Sequence, residues 1–230
     1  MDTKQFTMKN KKIPNDIILT WKDHTVPSYV FNNIKKLNPD KNIVFFEDED
    51  CRKFLRETYN ENFVTRFDSE TCGCHKADFF RYAYLYECGG YYTDVDIEYN
   101  VPIDDFVGED TEFFSIISAM FSTHIFQAIL YVTPKHRIIK NCLNDMLLYG
   151  PNMVYLPGGY KNAPPYTGAP TERMYQNYLN YTKTSDSNHL RLGNEVNING
   201  RYGCVYNNTC IAWSRYETFN RECFTDWNDQ

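Results

Sequence analysis

The chain has 230 residues, enough for one domain with a sizeable core, and its 30 acidic against 24 basic side chains give a formal net charge of −6. That balance, without any lysine- or arginine-rich cluster, argues against a nucleic-acid partner. No run approaches the ~20 apolar residues of a membrane span. The opening MDTKQFTMKNKK is polar rather than signal-like, so the sequence predicts a soluble, cytoplasmic protein with no transmembrane segment.

Strand and helix patterns alternate from the first twenty residues onward and no internal repeat interrupts them, which predicts an α/β fold in a single domain over residues 1–230. DIILTW, residues 16–21, reads as a buried strand. PSYVFNNIKKLN follows as an amphipathic helix with Pro27 at its start and Tyr29, Val30, Ile34 and Leu37 at helical spacing. NIVFFE, residues 42–47, is a second strand. DEDCRKFLRETY is a second helix, whose acidic first turn suits the positive end of the helix dipole.

Eight cysteines are too few for a disulfide scaffold in a chain of this length, and they read as reduced, mostly buried thiols. Cys72 and Cys74 are the only close pair. Their single-residue spacing is not that of a zinc knuckle and no second pair matches it, so the spacing argues against a metal there.

The most informative stretch is HKADFFRYAYLYECGGYYTDVDIEYN, His75 to Asn100. A helix over residues 74–87 places Asp78 and Arg81 three apart on one face, with Phe79, Ala83 and Tyr86 in one apolar stripe and Ala77, Phe80 and Tyr84 in another. Taken alone, Asp78 and Arg81 read as a local ion pair worth ~0.2–0.5 kcal/mol. Gly89-Gly90 ends the helix and lets the chain reverse. YYTDVDIEY then reads as a strand whose alternation puts Asp94 and Asp96 on one side and Val95 and Ile97 on the other.

Two carboxylates so close repel unless a cation sits between them, and Mg²⁺ or Mn²⁺ is held by one or two carboxylates together with water and substrate phosphate oxygens. The alternative is an exposed acidic strand end. A calcium loop beginning at Asp94 fails, because its sixth and twelfth positions hold Tyr99 and Asp105 where glycine and glutamate are needed. A phosphatase with Asp94 as nucleophile is a second enzyme class to weigh, but Glu98 stands where such enzymes place a small hydroxyl residue.

Further along, EFFSIIS and HIFQAILYVT read as strands and KHRIIKNCLNDMLLYG as a helix closed by Gly150. Residues 151–170 alternate proline, glycine and tyrosine too densely for a regular element, and read as a functional loop. A helix from residue 169 to about 181 follows. The last 45 or so residues are the least legible by pattern.

IPNDIILTWK, FFEDEDCRKFL and above all KADFFRYAYLYECGGYYTDVDIEYNVPIDDF resemble the sugar-transferase region of glycosyltransferase family 32, the DXD-containing group, over about residues 13–106. Weaker similarity continues through VTPKHRIIKNCLNDM and YTGAPTERMYQNYL. The resemblance implies a GT-A fold, a Rossmann-like mixed sheet flanked by helices, with a donor-binding half over about residues 13–106 and an acceptor-side half over about 107–230. It also implies a divalent metal and a hexose transferred with retention from a nucleoside-diphosphate sugar, UDP- or GDP-linked, to a glycan, lipid-linked or protein acceptor.

By the same resemblance Trp21 stacks near the nucleotide base, Asp78 bonds sugar or ribose hydroxyls, and Arg81 meets sugar or diphosphate. Asp94 meets ribose and metal waters, and Asp96 the metal itself. Two departures stand out: Ile18 occupies a first-strand position where the family often has histidine, and NNTCIAWSRYETFNRECFTDW holds no histidine where the family often adds a metal contact. Asn208, Ser214 and Asp226 are the substitutes on offer, and loss of the contact would leave a binding module without turnover as the alternative to a transferase.

Overall fold

Ile17, Ile18 and Leu19 are all fully buried, and this apolar run makes β1 (Asp16–Thr20) a strand covered on both faces. The computed structural model describes residues 12–149 and 169–215. After β1 come α1 (Ser28–Leu37), β2 (Asn42–Phe46), α2 (Asp48–Thr58), α3 (Glu61–Asp68) and α4 (Gly73–Cys88). Next are β3 (Gly90–Thr93), β4 (Ile97–Tyr99), β5 (Phe113–Ile117), β6 (Ile125–Val132) and α5 (Arg137–Tyr149). The chain continues with α6 (Ala169–Thr184), β7 (Leu190–Ile198), β8 (Arg201–Tyr206) and β9 (Thr209–Ser214).

One sheet of nine strands runs through both halves in the order β2-β1-β3-β6-β5-β7-β8-β9-β4. β1 lies parallel between β2 and β3, and β6 joins β3 antiparallel, so the sheet is mixed as expected. Alternate residues feed two apolar layers. Ile18, Tyr92, Phe113 and Leu130 face the helices α2 to α6, while Ile17, Leu19, Tyr91, Phe114 and Tyr131 face α1 and the short 3₁₀ turn Ile103–Asp105.

The single strand expected over residues 91–99 is broken at its aspartates. Asp94 donates its N–H to the Ala128 carbonyl on β6 (2.9 Å), and Ile97 N–H turns back to the Asp94 carbonyl (3.2 Å). The chain therefore leaves β3 through a tight turn, and β4 pairs with β9 at the other end of the sheet order, Ile97 opposite Ser214. Only residues 94–96 link these two strands, so the sheet must curl until its last strand returns beside β3. The Tyr99 and Tyr131 hydroxyls meet across that closure at 2.6 Å.

Gly89-Gly90 does what the sequence predicts. Gly89 caps α4 at φ 66° and Gly90 follows at φ 118°, both in the left-handed region that favours glycine. A Cβ on Gly89 would stand 2.8 Å from the Val132 carbonyl oxygen, and one on Gly90 2.9 Å from that of Asp16.

The C-terminal region holds two hairpins with two-residue turns. Asn199-Gly200 and Asn207-Asn208 all take positive φ, the geometry of twisted hairpin turns. Residues 151–168, most of the expected functional loop, lie outside the described residues, as does Asp226.

Candidate active site

Three parallel strands end together: β1 at Thr20, β2 at Phe46 and β3 at Thr93. Ligands of open α/β sheets bind beyond such carboxyl ends. Trp21 and Asp94 are the next residues of β1 and β3, so the topology brings both to this edge. Trp21 donates its backbone N–H to the Phe46 carbonyl (3.1 Å), and its indole Nε1 donates to Thr25 Oγ1 at 3.3 Å, leaving the ring half-buried at the rim.

α4 supplies the wall. Arg81 is only 4% exposed, which for a permanently charged group demands a full set of partners. It has them: Nε donates to the Ala77 carbonyl (3.2 Å) and Nη1 to the Gln127 carbonyl (2.9 Å), while Nη2 stands 3.3 Å from Asp78 Oδ1 and 3.2 Å from Asp94 Oδ1. Its guanidinium lies over the Tyr92 ring, 4.4 Å from the centroid. The Asp78–Arg81 spacing that reads as a local helix pair is therefore one edge of a buried clamp between α4, β6 and the acidic turn.

Tyr92 extends the clamp to β1. Its hydroxyl donates to Asp94 Oδ1 (2.9 Å) and lies 3.0 Å from Thr20 Oγ1; with its one proton spent on Asp94, it accepts from Thr20. Gln127 and Ala128, whose carbonyls hold Arg81 and Asp94, sit in an irregular stretch where the β5–β6 register jumps from Ser115↔Leu130 to Ile116↔Phe126. Residues 127–129 thus lie outside the β5 ladder, a common device beside functional sites.

Asp96 differs in kind. Its Oδ1 is buried and makes no hydrogen bond among the described residues, and burial, reinforced by the neighbouring Asp94 carboxylate, raises its pKa to about 7. A buried, unpartnered carboxylate oxygen beside a second carboxylate fits a divalent cation, and hard cations such as Mg²⁺ and Mn²⁺ take such oxygen ligands. Burial likewise lifts Asp78 to about 6, against the pull of Arg81.

For a third ligand, β9 separates two of the substitutes. Ser214 pairs with Ile97, and Arg215 donates its N–H to the Asp96 carbonyl (2.8 Å), so Ser214 lies beside the acidic turn. Asn208 sits six residues back along the strand, roughly 20 Å away at ~3.3 Å per residue, and is excluded by that distance. Ile18 is wholly buried against Gly90 and belongs to the core rather than to the site.

The structure brings Asp78, Arg81 and Asp94 into contact, with Asp96 in the same acidic turn and Trp21 on the same edge. Thr20, Tyr92 and Gln127 were not singled out by sequence. Tyr92 stands two residues before Asp94, the spacing that shares a strand face, and Gln127 is the one amide in an apolar strand; both signals were there to read.

A curled mixed sheet carrying an Asp-x-Asp turn at its seam is the architecture of the GT-A fold. Residues 26–114 match the family model described as the glycosyltransferase sugar-binding region containing a DXD motif. Inositol phosphoceramide mannosyltransferase 1 of Schizosaccharomyces pombe is 30% identical over 143 residues, 59% of this chain and 43% of the relative. Mannosyltransferase 3 of the same organism is 33% identical over 102 residues, 43% of this chain and 28% of the relative. A glycosyltransferase of Acanthamoeba polyphaga mimivirus is 26% identical over 141 residues, 59% of this chain and 56% of its own. The chain thus spans about half or less of the curated relatives it matches. Among solved structures, the PaToxG glycosyltransferase superposes with a TM-score of 0.53 at 16% identity, covering 75% of this chain and 70% of its own, a likeness of fold.

Proposed function

We propose that the chain transfers a hexose, with retention, from a nucleoside-diphosphate sugar to an acceptor hydroxyl, and that Mn²⁺ or Mg²⁺ is required. The observation that carries this reading is the unpartnered, buried Asp96 Oδ1 next to an Asp94 held by Arg81 and Tyr92. When bound, the metal supplies positive charge to the diphosphate as the glycosidic bond breaks. Asp96 and Asp94 would hold it, and Ser214, beside the acidic turn, is the substitute that could add a contact. Arg81, fixed on three sides, presents a guanidinium that needs no reorganisation to meet developing charge. Asp78 accepts from sugar or ribose hydroxyls, and Trp21 offers the flat face for the base.

This division of labour keeps the donor half near residues 13–106 and gives the acceptor to the later half. The relatives' names make mannose the first hexose to test and inositol phosphoceramide the first acceptor, ahead of glycan or protein. No described helix is long and apolar enough to cross a membrane.

The test is a thermal-shift panel of UDP- and GDP-sugars, each with Mn²⁺ and with chelator, followed by transfer assays on the donor that binds. Ligand at ~100-fold over Kd adds ~2.7 kcal/mol to the native state, a readily seen shift. Stabilisation by one nucleotide sugar, lost with chelator and lost in Asp96→Ala, supports the reading. No response to any donor overturns it, and metal-dependent binding without transfer identifies a binding module instead.

A further inference from the structure

The first turn of α4 gathers a second group of metal-ligating side chains that the sugar-transfer site does not use. Cys72, Cys74 and a ring nitrogen of His75 all place their ligating atoms within 4.8 Å of one another, the one group of three or more such side chains found among the described residues. The two sulfurs are 2.8 Å apart. We propose that Cys72, Cys74 and His75 bind a thiophilic d¹⁰ cation, Zn²⁺ in the first place, as a three-ligand site with its fourth position open to solvent.

The spacing rule that argues against a zinc knuckle counts only the cysteines; the helix turn adds the third ligand. Zinc takes thiolates at ~2.3 Å and imidazole nitrogen at ~2.0–2.1 Å in a tetrahedron, which sets the two sulfurs about 3.8 Å apart. Binding therefore opens the pair by roughly 1 Å, a movement open to the exposed Cys74 side chain. Nothing stands within 4 Å of where a Cβ on Gly73 would be, so the turn is unobstructed on that side.

The surroundings match what a metal-bound histidine uses. His75 is buried, and Glu70 Oε2 stands 3.8 Å from its Nδ1, a carboxylate placed to orient the ring. Glu70 is itself anchored by Arg66, Nη2 to Oε1 at 2.6 Å, and Arg66 reaches the Met146 carbonyl on α5 (3.0 Å). The two sulfurs are close enough to share a proton, which the cation displaces when the thiolates bind it. A disulfide would join the sulfurs but leave the His75–Glu70–Arg66 chain without a role.

The site also has an address. Cys74 is four residues before Asp78, one turn or ~6 Å along the same helix, so an ion there stiffens the end of α4 that presents Asp78 and Arg81. Its existence does not depend on the transfer reading, and its failure leaves that reading intact.

Cobalt is the probe. The full chain, stripped with chelator and kept reduced with a phosphine, is titrated with Co²⁺ and then Zn²⁺. The expected result is one equivalent of tetrahedral cobalt with a thiolate-to-metal absorption band, displaced by Zn²⁺, kept in Asp96→Ala, and weakened at least about tenfold in Cys74→Ser and in His75→Gln, with unchanged far-UV circular dichroism. The proposal fails if the reduced wild type shows no thiolate band, or if the band survives in Cys72→Ser/Cys74→Ser. It also fails if mass spectrometry finds the pair two hydrogens lighter under the same reducing conditions, a closed disulfide.

Discussion

Arg81 Nη2 lies 3.2 Å from Asp94 Oδ1, and this contact joins the helix wall to the acidic turn. Because the guanidinium also holds Asp78, the Gln127 carbonyl and the Tyr92 ring, it is a structural centre as well as the site proposed to meet substrate charge.

Lysine keeps the charge at this position but not the planar fork, and it cannot serve Gln127, Asp78 and Asp94 together. Arg81→Lys is expected to lose about 1–3 kcal/mol of stability, because buried acceptors go unsatisfied, and more than tenfold in turnover. Chemical denaturation and initial rates measured on the same preparation check both. An unchanged denaturation midpoint would show that the clamp contributes nothing to the fold.

Tyr92→Phe keeps the ring beneath Arg81 and removes only the hydroxyl between Thr20 and Asp94. The cost is expected at about 1–2 kcal/mol, with donor affinity falling several-fold as Asp94 loses a donor that fixes its rotamer. Thr20→Val leaves Asp94 its tyrosine and should weaken donor binding less. Equal effects of the two variants would sink the assigned direction of the hydrogen bonds.

Much of this site was legible because its parts are local. Helix period, the Gly-Gly break and the Asp-x-Asp all lie within 30 residues, and local pattern places β1, α1, β2, α2, α4, β5, β6, α5 and α6. What could not be read is what distant pairing decides. Alternation continues smoothly through YYTDVDIEY, and only the Ala128 carbonyl, 34 residues on from Asp94, pulls the chain into a turn. Arg81's partner from β6, the Gln127 carbonyl, is equally remote in sequence. The three C-terminal strands are another matter: Asn199-Gly200 is a strong hairpin signal that was there to use. α3, too, announces itself through Asn60, whose side chain accepts the Asn62 N–H.

The glycine break permits a test that needs no substrate. Gly89→Ala forces a left-handed alanine and sets its Cβ 2.8 Å from the Val132 oxygen, where backbone cannot yield, so a loss of at least about 2 kcal/mol is expected. Gly200→Ala is the control: its φ is also positive, at 84°, but nothing lies within 4 Å, and only the conformational cost of about 1 kcal/mol remains. Equal melting temperatures for the two variants would mean that the close approach of β3 to β6 is not rigid.

Asp96 gives a prediction in pH and metal together. Its carboxyl titrates near 7 in the folded chain against an ordinary 3.8, because burial and Asp94 disfavour the charge. Below the ordinary value both states hold the proton, and Asp96 is neutral to stability. Between there and about pH 7 the unfolded chain has released a proton that the native state retains, so native stability falls as pH rises. Above about 7 the whole penalty is present, about 2–4 kcal/mol, since each tenfold change in proton affinity is worth ~1.4 kcal/mol. Asp96→Asn removes it, so in chelator the variant should be the more stable protein at about pH 8 and indistinguishable from wild type near pH 4. Adding Mn²⁺ at about pH 8 should restore wild type by giving Oδ1 its partner, and leave the variant unmoved. Urea denaturation at the two pH values, with and without Mn²⁺, measures all four corners. If wild type already matches the variant in chelator at the higher pH, Oδ1 has a partner of its own and Asp96 is not the metal's carboxylate.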